Sequence, residues 1–109
     1  MRNGTVTPKP GGPKAPRTAI GVTAAGALLI FEVDGCEDCP AITGGPTGLT
    51  EHDMGAWMLK LGALHAINLD GGGSSTSVAN GTVIDWPTSK HIPYGVPQER
   101  AVSTAVCLM

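Results

Sequence analysis

The chain has 109 residues with a formal net charge of −2, and 15% of its residues are charged and 41% hydrophobic. This composition excludes disorder driven by charge and is typical of one small domain or a part of a larger one. The low content of lysine and arginine argues against a nucleic-acid partner, and no apolar run approaches the roughly 18 residues of a membrane span. Glycine and proline contribute 16 and 9 residues, about twice their usual share, which indicates either extensive loops or glycines needed for close backbone approach.

The first 16 residues predict a turn followed by an irregular loop. Asn3-Gly4 is a strong signal for a tight hairpin turn, and residues 7–16 contain four prolines and two glycines, which exclude a helix. The strand preceding the turn would have to lie before Met1, and no apolar core of a signal peptide follows that residue. We therefore expect residues 1–16 to form a truncated hairpin and a Pro/Gly-rich loop, with the main domain in residues 17–109.

Two strands are predicted next, at residues 18–23 and 27–33, joined by a short glycine-containing turn. The first alternates apolar and polar side chains, whereas the second is more continuously apolar. The second strand is therefore expected to be the more central one of the sheet. Asp34-Gly35 then opens a loop that extends to about Gly48.

One helix is predicted at about residues 50–61. Thr50 is a suitable N-cap, and Glu51 lies in the first turn, where a carboxylate interacts favourably with the helix dipole. Apolar side chains recur at the i, i+3, i+4, i+7 spacing of an amphipathic helix. They are Met54, Trp57, Met58 and Leu61. Gly62 is well placed to end the helix in the left-handed conformation.

The remaining predicted elements are short strands. A buried strand is expected at residues 65–69, a hairpin at 74–79 and 82–86, and a last alternating strand at 100–108, after a proline-rich loop at 87–98. With the two earlier strands this amounts to about six strands and one main helix. The expected fold class is α+β, with a mostly antiparallel or mixed sheet rather than a repeating βαβ array.

The segment Asp70-Gly71-Gly72-Gly73 follows the predicted strand at 65–69 and is the first candidate for a site. Three hydroxyl side chains come directly after it: Ser74, Ser75 and Thr76. Glycines let a ligand approach the backbone and let successive N–H groups form an anion-binding nest. The segment matches neither a Walker A loop nor a GxGxxG dinucleotide loop. The alternative is a tight turn at a crowded corner, but Asn68 and Asp70 on one strand face favour a site.

The glycine loop and five other segments occur together, in this order, in one known family. They are Arg17-Thr18-Ala19-Ile20-Gly21, Leu49-Thr50-Glu51, Leu61-Gly62-Ala63, Ala66-Ile67-Asn68-Leu69-Asp70-Gly71-Gly72-Gly73-Ser74-Ser75-Thr76, Asn80-Gly81 and Arg100-Ala101-Val102-Ser103. On these segments the chain resembles the phosphodiester glycosidase family from about Arg2 to Leu108, with residues 17–109 expected to be the C-terminal half of the family's domain. The resemblance implies hydrolysis of the bond between α-linked N-acetylglucosamine and phosphate in a sugar phosphodiester. In animal members this exposes mannose 6-phosphate, and the resemblance implies a secreted protein or one in the lumen of the Golgi.

For such a reaction, specific residues acquire expected roles. Asp70 is the expected carboxylate that faces the developing oxocarbenium ion or activates water, with Glu51 as a second catalytic carboxylate. Arg17 and Arg100 are the expected phosphate clamps, because a guanidinium binds phosphate oxygens bidentately. Further contacts to the phosphate or the sugar are expected from Thr18, Asn68, Gly71, Gly72, Gly73, Ser74, Ser75 and Thr76. In the structural alternatives, Asp70 only caps its turn, Glu51 only stabilises the helix, and both arginines are ordinary surface residues.

Neither a cofactor nor a metal is expected. The histidines share no ligand spacing, and Cys36-x-x-Cys39 with the distant Cys107 is at most half a zinc site. In an oxidising compartment Cys36 and Cys39 could close a tight loop and leave Cys107 spare. Two N-glycosylation sequons, Asn3-Gly4-Thr5 and Asn80-Gly81-Thr82, coincide with turn signals.

The expected partner is a glycan phosphodiester substrate, and the sequence leaves the oligomeric state open. Two other interpretations remain beside the enzyme. One is a sugar-phosphate-binding module without catalysis, and the other is a gene fragment that needs the missing N-terminal half to fold.

Overall fold

The computed structural model describes residues 1–88 and 99–109 and confirms the α+β class. The strands are β1 (Arg17–Thr23), β2 (Leu28–Val33), β3 (Ala63–Asn68), β4 (Val78–Ala79) and β5 (Thr82–Val83), and the helix is α1 (Glu51–Lys60). Short 3-10 turns lie at Ala41–Thr43 and Gly72–Ser74. Within the described ranges no helix is long and apolar enough to cross a membrane. From residue 89 onward, the loop predicted at 87–98 lies outside the described residues.

β1 is the central strand of the main sheet, which has the order β2-β1-β3 with antiparallel pairing on both sides. The prediction that the second strand is the more central one is therefore wrong. The strands approach closely at Gly21, where a Cβ would lie 2.7 Å from the carbonyl oxygen of His65 and 2.8 Å from Cε of Met58. The apolar run of β2 instead reflects a half-exposed face, since Leu28 and Ile30 are 48% and 50% exposed.

α1 packs on one face of this sheet, as its amphipathic pattern predicts. The hydroxyl of Thr50 accepts a hydrogen bond from the backbone N–H of Asp53 at 3.1 Å, which confirms the predicted N-cap. Met54 and Met58 are buried against the sheet, whereas Trp57 is 44% exposed. The resulting core is small. Its buried members are Ala19, Met54, Met58 and Ala63, with Met1, Leu29, Phe31, Leu49 and Ala66 partly buried around them.

The face of the sheet opposite α1 is apolar and exposed. The register pairs Ile20 of β1 with Ile30 of β2 and Ile67 of β3, so these side chains share that face. Ile30 and Ile67 are 50% and 64% exposed, and the neighbouring Val22 is 41% exposed. The residues described here therefore bury only one side of the sheet.

Both predicted Asn-Gly turns form. The φ angles are 49° and 69° at Asn3-Gly4 and 52° and 75° at Asn80-Gly81, the left-handed region that these two residue types tolerate best. The first turn lies beside β3, where Met1 and Ala66 exchange two backbone hydrogen bonds at 3.0 Å. The second turn joins β4 to β5 in a separate two-stranded sheet.

The strand predictions of the second half need correction. The strands predicted at 74–79 and 82–86 shorten to Val78–Ala79 and Thr82–Val83, because Gly72–Ser74 forms a 3-10 turn and Trp86 donates its backbone N–H to a side chain. The strand predicted at 100–108 is absent: residues 99–109 contain no strand, and Cys107 there is a free, exposed thiol. Alternation specifies which side chains share a face, but a strand also needs a neighbouring edge for its backbone hydrogen bonds.

Candidate functional site

A cleft of about 580 Å³ opens where the start of β1 meets the end of β3. Antiparallel pairing brings these ends together, and the N–H of Leu69 extends the ladder by donating to the carbonyl of Thr18 at 2.8 Å. The cleft is lined by Ala15, Arg17, Glu37, Asn68, Leu69, Asp70, Gly71, Gly72 and Arg100. The fold therefore collects six of the predicted site residues, together with Glu37, which was not predicted.

At two of the three glycines, Gly71 and Gly73, neighbouring backbone leaves no room for a side chain. A Cβ on Gly71 would lie 2.8 Å from the carbonyl oxygen of Pro16, and a Cβ on Gly73 would lie 2.6 Å from that of Thr88. Gly72 has a φ of 55° and donates its N–H to the carbonyl of Pro16 at 2.9 Å. The glycine loop is therefore a tight turn at a crowded corner, as the alternative interpretation of the sequence predicts. Gly71 and Gly72 nevertheless also line the cleft.

The three hydroxyls that follow the glycines have different surroundings. Ser74 accepts a hydrogen bond from Nη2 of Arg100, which lines the cleft. Ser75 is 2% exposed and accepts a hydrogen bond from the hydroxyl of Thr18 at 3.2 Å. The hydroxyl of Thr76 is buried and has no partner among the atoms described. Ser74 therefore positions a cleft residue, whereas Thr18, Ser75 and Thr76 do not line the cleft.

Arg17 is held at the cleft by contacts to two loops and to the first residue of α1. Its Nε donates to the carbonyl of Leu49 at 3.0 Å, and its Nη2 donates to the carbonyl of Pro13 at 2.8 Å. Its Nη1 lies 3.7 Å from Oε1 of Glu51, and the Arg17 side chain is only 12% exposed. Glu51 does not line the cleft, and its observed contact is the ion pair with Arg17.

Arg100 reaches the cleft across the glycine loop. A Cβ on Gly73 would lie 3.1 Å from Nη1 of Arg100, so the guanidinium lies directly against that glycine. The cleft therefore holds the guanidinium groups of Arg17 and Arg100 together with the carboxylates of Asp70 and Glu37. Opposite charges of this kind suit a ligand that has an anionic part and a neutral hydrogen-bonding part.

Glu37 comes from a short disulfide loop. Cys36 and Cys39 are joined by a disulfide, the pairing that the sequence allows in an oxidising compartment, and the backbone of Cys36 exchanges hydrogen bonds with Thr47 at 2.9 and 3.2 Å. A Cβ on Gly72 would lie 2.5 Å from Oε2 of Glu37, so the carboxylate lies over the glycine loop. The only local signal in the sequence is that the Cys-x-x-Cys pair encloses two acidic residues, Glu37 and Asp38.

A second acidic group, Glu32, Asp34 and Asp85, has carboxylate oxygens within 4.8 Å of one another. Ser77 donates its hydroxyl to Glu32 at 3.1 Å and its N–H to Asp85 at 2.9 Å. The N–H of Trp86 donates to Asp34 at 2.9 Å. Burial, and then the charges of Asp85 and Asp34, raises the pKa of Glu32 to about 7. These carboxylates are oxygen ligands of the kind that hard cations bind, and their observed contacts fix the β4–β5 hairpin to the end of β2.

The sequence model of the phosphodiester glycosidase family matches residues 1–109. The chain therefore belongs to that family, as the resemblance predicts. It is 40% identical over 93 residues to human N-acetylglucosamine-1-phosphodiester alpha-N-acetylglucosaminidase and 39% identical to the bovine protein of the same name. Each match covers 84% of this chain and 16% of the relative, so the chain spans about one sixth of the length of these curated relatives.

A solved structure gives the same relationship. The chain superposes on the catalytic domain of the zebrafish N-acetylglucosamine-1-phosphodiester alpha-N-acetylglucosaminidase, auto-inhibited by its pro-peptide, with a TM-score of 0.70 and 32% sequence identity. The match covers 83% of this chain and 27% of the zebrafish chain. The fold described above is therefore shared with part of a phosphodiester glycosidase catalytic domain.

Proposed function

We propose that this chain contributes the catalytic cleft for hydrolysis of a sugar phosphodiester, in which α-linked N-acetylglucosamine is released from phosphate. The observation that carries the proposal is the cleft itself, where Arg17, Arg100 and Asp70 meet at the glycine loop. The names of the mammalian relatives support the substrate class. The chain spans only 16% of the length of those relatives. That this chain catalyses their reaction is therefore the proposal, and the test is to measure turnover by this chain.

The two arginines are the proposed phosphate ligands. A phosphodiester carries one negative charge, and the planar guanidinium forms charge-assisted hydrogen bonds to its oxygens. Arg17 is already oriented by the carbonyls of Leu49 and Pro13, and Arg100 is oriented by Ser74. Donors that are fixed before the substrate arrives stabilise developing charge without reorganising during the reaction.

Hydrolysis breaks the bond between the anomeric carbon and the phosphate oxygen, and the electron pair leaves on that oxygen. Since a phosphate is a good leaving group, strong protonation by a general acid is less necessary than for an ordinary glycoside. Water adds to the anomeric carbon and loses a proton. We assign to Asp70 the carboxylate that faces the oxocarbenium ion or accepts this proton, and to Glu51 the support of Arg17. No step of this scheme calls for a metal or a cofactor.

The test is release of N-acetylglucosamine from its phosphodiester to the 6-position of mannose, which would leave mannose 6-phosphate. Turnover is compared between the full chain, Asp70→Asn and Asp53→Asn. Asp53 lies on α1 with a side chain 51% exposed, so it controls for the same chemical change outside the cleft. We expect Asp70→Asn to lower kcat by roughly 10²- to 10⁴-fold and Asp53→Asn to have no effect. Undiminished turnover in Asp70→Asn contradicts the assignment.

A sugar-phosphate-binding module without catalysis is the second candidate. It is favoured by the small share of the relatives that the chain covers, 16%, since both proposed phosphate ligands, Arg17 and Arg100, belong to this chain. Calorimetry with N-acetylglucosamine 1-phosphate separates the candidates, because binding without turnover supports the module. A chain without cooperative structure in circular dichroism supports the fragment that needs further residues to fold.

We also propose that the protein works in an oxidising compartment, such as the lumen of the secretory pathway. The Cys36–Cys39 disulfide supports this, because disulfides persist where thiols are not kept reduced. Thiol titration of the protein isolated without reductant should find one free thiol, that of Cys107. Three reactive thiols in the native protein would contradict the proposal.

A further inference from the structure

We propose that Glu37 recognises the sugar in this cleft and that the Cys36–Cys39 disulfide holds it in place. The inference rests on the function proposed above and adds to it a residue that selects the ligand. Glu37 lines the same cleft as Arg17, Asp70 and Arg100.

The position of Glu37 relative to the glycine loop is the first step. A Cβ on Gly72 would lie 2.5 Å from Oε2 of Glu37, so the carboxylate lies on the ligand side of a residue that itself lines the cleft. Gly72 has a φ of 55° and is tied to Pro16 by its N–H. A ligand that contacts Gly72 in the cleft therefore meets the Glu37 carboxylate.

The charge of Glu37 decides which part of the ligand it meets. A carboxylate repels a phosphate, whereas Arg17 and Arg100 attract one, so we expect the phosphate to bind to the arginines rather than to Glu37. An ionised carboxylate can only accept hydrogen bonds. Sugar hydroxyls and the N-acetyl N–H are neutral donors, and their hydrogen bonds to a carboxylate are charge-assisted. The geometry therefore assigns the sugar to Glu37 and the phosphate to the arginines.

The disulfide restricts the loop that carries Glu37. Cys36 is anchored by reciprocal backbone hydrogen bonds to Thr47, and the bond to Cys39 closes a loop whose sequence separation is 3. A loop this short has few conformations, which keeps the carboxylate over Gly72 at little further entropic cost. Without the disulfide, the loop loses this closure, although Cys36 stays bonded to Thr47.

The test compares two ligands by calorimetry: N-acetylglucosamine 1-phosphate and inorganic phosphate. We expect Glu37→Gln to weaken binding of the sugar phosphate about 10-fold, because a charged acceptor becomes a neutral one. Binding of inorganic phosphate should stay the same or tighten, since a negative charge is removed from the cleft. Asp38→Asn is the matched control, because it changes the charge of the same loop by the same amount at a residue that does not line the cleft. It should leave the ratio of the two affinities unchanged.

The outcomes separate this inference from the proposed function. If the wild-type chain binds phosphate and sugar phosphate equally, or if Glu37→Gln changes both affinities by one factor, the inference is wrong while the arginine site stands. The same holds if Asp38→Asn reproduces the effect of Glu37→Gln. If the wild-type chain binds neither ligand, the proposed function fails and this inference fails with it.

The contribution of the disulfide has its own test. Cys39→Ser keeps the Glu37 carboxylate but opens the loop, so the preference for the sugar phosphate should fall in the same direction as in Glu37→Gln. Circular dichroism checks that the variant is folded, and titration of the wild-type chain with a reductant gives the same comparison without a substitution. An unchanged ratio of affinities in both experiments shows that the disulfide does not position Glu37.

Discussion

The hydroxyl of Thr18 donates a hydrogen bond to the hydroxyl of Ser75 at 3.2 Å, across 57 positions of the sequence. Thr18 lies on the central strand β1, and Ser75 follows the 3-10 turn of the glycine loop and is 2% exposed. The contact therefore joins the glycine loop to the centre of the main sheet. It explains why both residues occur beside the cleft without lining it.

Removing this hydrogen bond should destabilise the fold. Thr18→Val deletes the donor and leaves a buried hydroxyl with one partner fewer, so we expect the free energy of unfolding to fall by about 1–2 kcal/mol in urea titrations. Ser75→Ala should have a similar effect. The double variant should lose less unfolding free energy than the two single variants lose together, because both substitutions remove the same interaction. Thr7→Val, in the exposed N-terminal loop, is the control, and strictly additive losses would show that the two hydroxyls do not interact.

Gly73→Ala should displace Arg100 from the cleft. The new Cβ would lie 2.6 Å from the carbonyl oxygen of Thr88 and 3.1 Å from Nη1 of Arg100, so the loop or the guanidinium has to move. We expect a loss of about 2 kcal/mol in stability and weaker binding of inorganic phosphate. Gly11→Ala is the comparison: its φ of 92° strains alanine, but no atom of the described residues lies within 4 Å of the new Cβ. Phosphate binding that survives in Gly73→Ala would show that Arg100 does not depend on this contact.

The elements that sequence reasoning predicts well are those whose cause is local. The N-cap at Thr50 and the turns Asn3-Gly4 and Asn80-Gly81 depend on a few adjacent residues, and the structure confirms all three. The Cys36–Cys39 disulfide is local for the same reason. The family follows from the long glycine-loop string, which the family match confirms.

The elements that it predicts poorly depend on distant partners. β1 is central because β2 and β3 both pair with it, a relationship that the apolar content of a single strand does not contain. The predicted strand at 100–108 lacks a partner edge in the described structure. Glu37 enters the cleft only because the disulfide loop folds over Gly72, and no local pattern around Glu37 specifies that contact.

Arg17→Lys tests whether the planar guanidinium group of Arg17, with its separate N–H donors, matters more than its positive charge. A lysine donates from a single nitrogen, whereas Arg17 bonds the carbonyls of Leu49 and Pro13 from two separate atoms, Nε and Nη2, at 3.0 and 2.8 Å. We expect a stability loss of about 1–2 kcal/mol in urea titrations and weaker binding of inorganic phosphate. Glu51→Gln should lower the free energy of unfolding by less than about 1 kcal/mol, because its ion pair with Arg17 is 3.7 Å long and its side chain is 55% exposed. The control is Arg2→Lys, the same substitution at an exposed position. If Arg17→Lys binds phosphate as tightly as the wild-type chain, the geometry of the guanidinium group plays no role in binding.

The carboxyl of Glu32 should make the stability of the fold depend on pH. Burial, and then the charges of Asp85 and Asp34, raises its pKa to about 7 from an ordinary value of 4.5. Between these values the folded chain keeps a proton that the unfolded chain has released. The stabilising contribution is therefore complete below pH 4.5 and is lost as the pH rises through about 7. Since the side chain is partly exposed to solvent, screening reduces the effect, and we expect about 1 kcal/mol.

Glu32→Gln isolates this contribution, because glutamine resembles the neutral carboxyl and does not titrate. In thermal unfolding between about pH 5 and about pH 8, the Tm of the wild-type chain should fall relative to that of Glu32→Gln, which should be the more stable protein at the upper end. The two proteins share all other side chains, so contributions from the rest of the chain cancel in the difference. Glu99→Gln, at an exposed position, should follow the wild-type curve. A constant difference in Tm across this range would show that Glu32 ionises in the folded chain as it does in the unfolded one, and that its contacts with the β4–β5 hairpin do not depend on its proton.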